Sequence, residues 1–388
     1  MNAGNADAPR RTRVLVICPG FFEGDAVGAA ARATYHALRS YDRYDVSAAW
    51  IVNDYPDVQG VRVGNVGELM LTAQFRDADV IIYIFAIHNE LHDAMLVGNG
   101  KAKQIVRFHN VTPRRFMPAH LQPIIDQSFV QMQTFRRADQ IWADSPENKE
   151  ELERQGLGDC DIRIIPLAVA FPAEARLADK PAGEVRLCYV GRFFESKGVR
   201  DVVLAADKLR GMTDTPFRVT LAGNLRFSDA DYAQGVRDLI AERQLGEIVE
   251  FAGTVTAGEL AGLFRRSHVY ITGSRHEGFC VPVIEGLAAG CIPVSYAVSN
   301  LRFIANGLGR LAHTDSVASL AEAALPIIEH VGSDGGKNRM LPLDAGEMSV
   351  AAFDKAAAAY VSEFGFDTLA ERLALEVYAL TPDLRYHG

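Results

Sequence analysis

The stretch TGSRHEGFCVPVIEGLAAGC, residues 272–291, decides how the chain is read. Proline suits a first helical turn, where its missing N–H is not needed and its φ is already helical, so the apolar run from Pro282 to Ala289 predicts a helix. Val269–Thr272 before it and Ile292–Ser295 after it are short and mostly apolar, which predicts strands on both sides. Strand, loop, helix, strand is the repeating unit of a parallel sheet, and the loops at the strand C-termini are where such sheets meet ligands. Glu277 falls in that loop and Glu285 about one turn inside the helix, so the two carboxylates point into one crevice. Gly278 and Phe279 place backbone N–H groups between them, and Cys280 and Val281 lead the loop into the helix.

The same alternation runs upstream. Strands are predicted at Val185–Val190, Arg218–Ala222 and Val249–Phe251, separated by helical patterns at Val199–Leu209, Tyr232–Arg243 and Ala257–Arg266. The first half repeats the plan. An apolar run at 13–18 ends in Pro19-Gly20, passes Gly24 and Gly28, and enters an alanine-rich helical pattern to Leu38; further strands are predicted at Val46–Val52, Val80–Phe85, Gln104–Phe108, Gln140–Ala143 and Ile162–Pro166. Buried apolar strands alternating with amphipathic helices specify an α/β chain of two Rossmann-like, doubly wound domains. The 388 residues suit two such cores. Phe171–Gly183, rich in Pro, Ala and charge, reads as the linker. The expected organisation is a disordered polar tail at 1–12, an N-terminal domain at 13–175, a C-terminal domain at 184–362, and a final segment, 363–388, whose amphipathic pattern at Phe366–Leu380 predicts a helix crossing back to the first domain. Gly332–Gly336 reads as a flexible surface loop.

Composition excludes several classes. The longest apolar runs, such as Val80 to Ile87, fall well short of the ~20 residues that span a bilayer, and the polar tail lacks the apolar core of a secretory signal. Five cysteines, odd in number and without a C-x-x-C pair, suggest neither a disulfide framework nor a zinc site, and point to a reducing cytoplasm. A net charge of −9 argues against nucleic-acid binding, which draws its affinity from clustered Lys and Arg. An anionic ligand must therefore be met locally.

Two places offer that. Gly191-Arg192 follows the strand Val185–Val190, and Lys197-Gly198 precedes the next helix, so two cations stand at a strand end beside a helix N-terminus. Arg192 through its planar fork and Lys197 as a point charge can neutralise a diphosphate. In the first half, Gly20, Gly24-Asp25 and Gly28 lie between strand and helix, where backbone N–H groups can hold a phosphate or a sugar hydroxyl. Their spacing is not G-x-G-x-x-G, so a dinucleotide is disfavoured; the same glycines also serve as a plain tight turn. Glu277 and Glu285 need not be an acid/base pair, because carboxylates also accept from vicinal hydroxyls, and one can hold a hexose while the other holds a ribose. His109 follows the strand Gln104–Phe108, at a position that lines a cleft or is filled by a structural histidine.

The ordered set Gly191-Arg192, Lys197-Gly198, Gly223, Gly253 and Glu277-Gly-Phe-Cys-Val-Pro-Val-Ile-Glu285 resembles the GT-B-fold glycosyltransferases of family 4, whose signature is a Glu, seven residues and a Glu. The likeness covers the second domain. In the first, Gly24-Asp25-Ala26, Ile82-Tyr83 and Phe108-His109-Asn110-Val111-Thr112-Pro113 look like a bacterial subgroup that builds polysaccharides and other glycosides. The resemblance implies two domains facing a central cleft, Arg192 and Lys197 on the donor diphosphate, Glu277 on the donor sugar, Glu285 on the ribose, and His109 near the transferred sugar. Where family members often carry a Gly-Gly-x-Pro-Glu-like segment, this chain has Tyr296-Ala-Val-Ser-Asn-Leu301, so that loop's donor contacts are not carried over.

The expected activity is retaining transfer of a hexosyl group from a nucleotide-diphosphate sugar, UDP- or GDP-linked, to a hydroxyl of a saccharide, lipid-linked or small-molecule acceptor. No cofactor is expected. With no Asp-x-Asp element in a suitable loop, a metal-independent site is expected as well. The rival readings on the same fold are sugar-nucleotide epimerisation, phosphorolysis, and a non-catalytic sugar-nucleotide-binding subunit. Arg114-Arg115 and Arg136-Arg137 bracket an apolar segment, Phe116 to Phe135, which reads either as an ordinary amphipathic helix or as a peripheral contact with anionic lipid at the inner face of the plasma membrane. Nothing in the sequence bears on oligomeric state.

Overall fold

A computed structural model describes residues 10–333 and 340–382. Most of the expected tail, and residues 334–336 of the expected surface loop, lie outside them. The chain forms two units, one of residues 1–168 with 365–388, the other of 169–364.

The first unit contains β1 (Thr12–Ile17), β2 (Gly20–Phe21), β3 (Tyr44–Trp50), β4 (Val52–Asn53), β5 (Gly60–Arg62), β6 (Val80–Phe85), β7 (Lys103–Phe108), β8 (Gln140–Ala143) and β9 (Ile162–Ile164). Seven of them make one sheet, ordered β5-β3-β1-β6-β7-β8-β9, parallel throughout, while β2 and β4 form a small parallel pair. Side chains alternate across a strand, and here both faces are covered. Val14, Val16, Ile82 and Ile84 enter one core, Leu15, Ile17, Ile81, Tyr83 and Phe85 the other. The first core is closed by helix Ala26–Arg39 and by Leu369, Ala370, Leu373, Ala374 and Val377 of the C-terminal helix Phe366–Leu380. Tyr44 fixes that helix further, donating its hydroxyl to the Ala374 carbonyl at 2.8 Å.

The second unit contains β10 (Val185–Val190), β11 (Phe217–Ala222), β12 (Val249–Gly253), β13 (Val269–Thr272), β14 (Ile292–Tyr296) and β15 (Arg310–Ala312) in a parallel sheet ordered β12-β11-β10-β13-β14-β15, with a separate hairpin of β16 (Met340–Leu343) and β17 (Gly346–Ser349). Order reverses between β10 and β13, and a doubly wound sheet opens its ligand crevice at such a switch point.

The stretch expected to be a linker is instead a strap on the second unit. Ala175 donates its N–H to the Ala288 carbonyl, and the Asp354 carboxylate accepts the Leu177 and Ala178 N–H groups at 2.7 and 3.1 Å. A segment rich in Pro and charge reads as free, but these backbone donors have partners that sequence does not reveal. The strand expected at Val46–Val52 starts earlier, at Tyr44, and ends at Trp50, with Val52 moved into β4. Phe116–Phe135 is not one amphipathic helix: only Gln122–Gln131 is α-helical, between short 3-10 turns. Its flanking arginines are partly tied down, Arg114 by Asp126 and Arg136 by Asp159.

Candidate functional site

In the second unit, the residues singled out in the sequence gather at the C-terminal ends of β10, β11 and β13. Helix Val199–Leu209 starts at Gly198, which sits in the left-handed region at φ 59°; helix Val281–Ala288 starts after Cys280, also left-handed at φ 75°. Pro282 occupies the second helical position rather than the first, and Glu285 lies one turn in.

Close backbone approach sets the geometry. A Cβ on Gly198 would stand 1.8 Å from the Gly273 carbonyl oxygen, so the loop carrying Lys197 is pressed against the loop carrying Glu277. A Cβ on Gly223 would stand 1.9 Å from the Gly191 carbonyl oxygen, joining the β11 and β10 ends in the same way. The first two loops are also stapled: Arg275 donates its backbone N–H to the Ser196 carbonyl and its guanidinium to the Glu195 carbonyl. That guanidinium also pairs with Asp201 at 2.7 Å and Asp315 at 2.5 Å, and Asp201 accepts the Tyr296 hydroxyl at 2.8 Å. Arg275, Asp201 and Asp315 did not stand out in the sequence, because each reads as an isolated polar position.

Lys197 Nζ and Glu277 Oε1 meet at 2.7 Å, and Ser274 Oγ donates to the same oxygen at 2.8 Å. The Glu277 N–H approaches Ser299 Oγ at 3.3 Å, the Asn300 N–H donates to the Glu277 carbonyl, and the Asn300 side chain donates to the Phe279 carbonyl at 2.7 Å. The divergent Tyr296–Leu301 loop thus holds the Glu277 loop from beneath. Arg192 is exposed, lies over the Phe194 ring at 5.4 Å, and among the described residues has no carboxylate partner. Glu285 has no hydrogen-bond partner among them either, and burial pushes its carboxyl up from 4.5 to about 7. An unpaired cation, a cation–carboxylate pair and a half-buried carboxyl with no protein partner among the described residues therefore line one end of one sheet. Burial likewise drives the Cys280 thiol well above its ordinary range, which makes it an apolar filler rather than a nucleophile.

In the first unit, Gly24 turns the chain at φ 81°, and one oxygen of the Asp25 carboxylate accepts from both the Val27 and Gly28 N–H groups at 3.0 and 3.1 Å. That carboxylate is a helix cap. A ligand contact through the same oxygen would compete with the cap, while the other carboxylate oxygen takes no part in it. His109 lies past β7, with its N–H on the Phe85 carbonyl. Its Nδ1 meets Asp144 Oδ2 at 2.5 Å, with the two side chains only 4% and 2% exposed. Arg107, fully buried, brings Nε to 3.4 Å from the other carboxylate oxygen. Asp144 and Arg107 were missed in the sequence.

Residues 173–331 match the family model described as Glycosyl transferases group 1. Among curated proteins, the chain is 26% identical over 193 residues to the GDP-mannose:cellobiosyl-diphosphopolyprenol alpha-mannosyltransferase of Xanthomonas oryzae pv. oryzae, a match that spans 48% of this chain and 49% of that protein. Among solved structures, sucrose-phosphate synthase from Thermosynechococcus elongatus superposes with a TM-score of 0.75 at 18% identity, over 96% of this chain and 100% of that one. Anabaena Alr3699/HepE in complex with UDP-glucose superposes with a TM-score of 0.69 at 15% identity, over 94% and 99%. These structural matches bear out the α/β GT-B fold expected from the sequence. The family-model match lies within the second unit, and the chain spans about half the length of the curated relatives it matches.

Proposed function

We propose that the chain is a retaining glycosyltransferase that moves a hexosyl group from a UDP- or GDP-sugar to a hydroxyl of a saccharide, lipid-linked or small-molecule acceptor, with no metal ion taking part. The observation that carries this reading is the Lys197–Glu277 pair, accompanied by an Arg192 with no carboxylate partner among the described residues and a Glu285 carboxyl raised by burial, all inside the stretch that matches the glycosyltransferase model. The mannosyltransferase relative is named for a GDP-mannose donor, and the Anabaena structure holds UDP-glucose, which supports a nucleotide-sugar donor here.

Arg192 forks onto the donor diphosphate, and Lys197 exchanges Glu277 for a phosphate oxygen, so that positive charge faces the leaving group as it departs. Glu277, still held by Ser274, is then free to accept hydroxyls of the hexose. Glu285 accepts the two ribose hydroxyls. Retention follows if the acceptor attacks from the leaving-group face and the departing phosphate takes its proton.

Calorimetric affinities for free UDP and GDP and for their glucose and mannose conjugates, beside turnover, test the division of labour. Glu285→Gln should weaken nucleotide and sugar donor alike. Glu277→Gln should spare the free nucleotide and lower donor affinity and turnover, since hydroxyl contacts that tighten in the transition state act on rate. Equal losses of free-nucleotide affinity in both variants would overturn the assignment.

A further inference from the structure

His109 is an imidazole with one nitrogen spoken for and the other left over. The carboxylate at 2.5 Å can only accept, so Nδ1 carries the ring proton and Nε2 presents a lone pair. Nε2 is buried and has no hydrogen-bond partner among the described residues. A buried acceptor without a donor is costly, and the fold does nothing to relieve it. The surroundings hold the ring in that state. Arg107 sits beside the same carboxylate, so the buried positive and negative charges balance without a charge on the imidazole. Arg107 is itself anchored toward the Ile165 and Pro166 carbonyls at 3.5 and 3.4 Å. The backbone is fixed as well: Asn110, at φ 76°, donates its side-chain amide to the Asn148 side chain, which donates to the Phe108 carbonyl at 3.1 Å. All of this stands at the C-terminal ends of β7 and β8, the ligand end of a parallel sheet.

We propose that Asp144 is the positioning residue of this site, holding His109 in the Nδ1-protonated form so that Nε2 accepts a hydrogen bond from a hydroxyl of the sugar ligand. The inference rests on the glycosyltransferase reading above. Asp144 acts through His109 and touches no ligand. Arg107 keeps the carboxylate paired, and the hydroxyl supplies the one donor that Nε2 lacks. A ligand group with no hydrogen to donate, such as an ether or a fluorine in place of that hydroxyl, loses the contact.

The test is nitrogen-15 spectroscopy of the histidine rings combined with kinetics. In the wild-type protein His109 should show a protonated Nδ1 and a bare Nε2, and the Nε2 signal should move when UDP-glucose or GDP-mannose binds. In Asp144→Asn the amide can turn its NH2 toward Nδ1 and drive the proton to Nε2. Turnover should then fall on the order of 10²-fold or more, as expected when a carboxylate-held histidine takes the wrong tautomer. Affinity for free UDP or GDP should stay unchanged. If Asp144 works through His109, Asp144→Asn should cost almost nothing further in a His109→Ala background, whereas a purely structural role would add its full loss there. A wild-type ring protonated on Nε2, an Nε2 signal that ignores a bound sugar nucleotide, or additive losses would each overturn the proposal. The wild-type spectrum decides even if Asp144→Asn does not fold. If neither sugar nucleotide binds, the donor reading of the preceding section fails, and the Asp144 assignment still stands or falls on the tautomer in the two proteins.

Discussion

Glu285→Gln should make the ligand-free protein more stable at pH 8 and leave it unchanged near pH 4.5. The reasoning starts from a carboxyl whose ordinary value of 4.5 is pushed to about 7 by burial, with no hydrogen bond to offset the loss of water. In the unfolded chain the proton leaves near 4.5, in the folded protein near 7. Between those values the folded state binds more protons, so stability falls as pH rises; the contribution is whole below about 4.5 and gone above about 7. At about 1.36 kcal/mol per pH unit, the full window amounts to ~3 kcal/mol. Glutamine has the shape of the protonated acid and no proton to lose, so the variant escapes that decline. For a unit of this size each kcal/mol is roughly 2–4 °C, which gives a melting-temperature gain of about 6–12 °C at pH 8 that shrinks to nothing at the acid end. Calorimetric melting of both proteins from pH 5 to pH 8 reads the effect. A difference that does not grow with pH would refute the idea that burial raises the Glu285 carboxyl. A ligand that donates hydroxyls to Glu285 favours its ionised form, so nucleotide binding near pH 6 should also release a proton, seen as a binding enthalpy that changes with buffer.

Arg192→Ala should weaken UDP or GDP binding by roughly 10- to 100-fold without lowering the melting temperature, because charge-assisted contacts are each worth about 1.5–3 kcal/mol and this guanidinium pairs with no carboxylate among the described residues; unchanged calorimetric affinity would remove it from the diphosphate site. Lys197→Ala should lose at least as much, since it also strands Glu277 without its cation. Transfer should survive EDTA, and loss restored by Mg²⁺ or Mn²⁺ would overturn the metal-independent reading. Gly198→Ala should destabilise the protein on the order of 2 kcal/mol or more in urea denaturation, because a left-handed residue would gain a Cβ inside contact distance of the Gly273 carbonyl; wild-type stability would mean the two loops are not pressed together.

What was legible in the sequence is what repeats or is local. Helix Phe366–Leu380 could be read residue for residue from its apolar spacing, and β6 from an unbroken apolar run and β8, β10 and β13 from mostly apolar ones, since a strand covered on both faces has little polar side to show. Glu277 and Glu285 were found because a strand, a loop and a helix with proline in its first turn fix their places relative to one another. What could not be read is pairing at a distance. Lys197 and Glu277 are 80 positions apart, and their contact depends on Gly198 and Gly273 touching backbone to backbone, which no spacing announces. β5 and the β16–β17 hairpin are too short, or too polar, to carry a period.

Arg107 shows the same limit in its sharpest form. Alone in an apolar strand, an arginine reads as a residue facing water, because burying an unpaired charge is prohibitive. It lies fully buried because Asp144 stands beside it, and Asp144 in turn follows a four-residue strand with nothing around it to mark it. Neither residue has a role until both are placed. Once they are, the histidine between them changes from a cleft-lining candidate with an equal structural reading into a ring with one fixed proton and one unmet acceptor. The same holds for Glu285 in the other unit: position came from sequence, but the absence of a partner and the shift to about 7 came from packing. At His109 the fold leaves a buried polar atom unsatisfied, and at Glu285 it raises a half-buried carboxyl, each at the end of a parallel sheet where a ligand can bind.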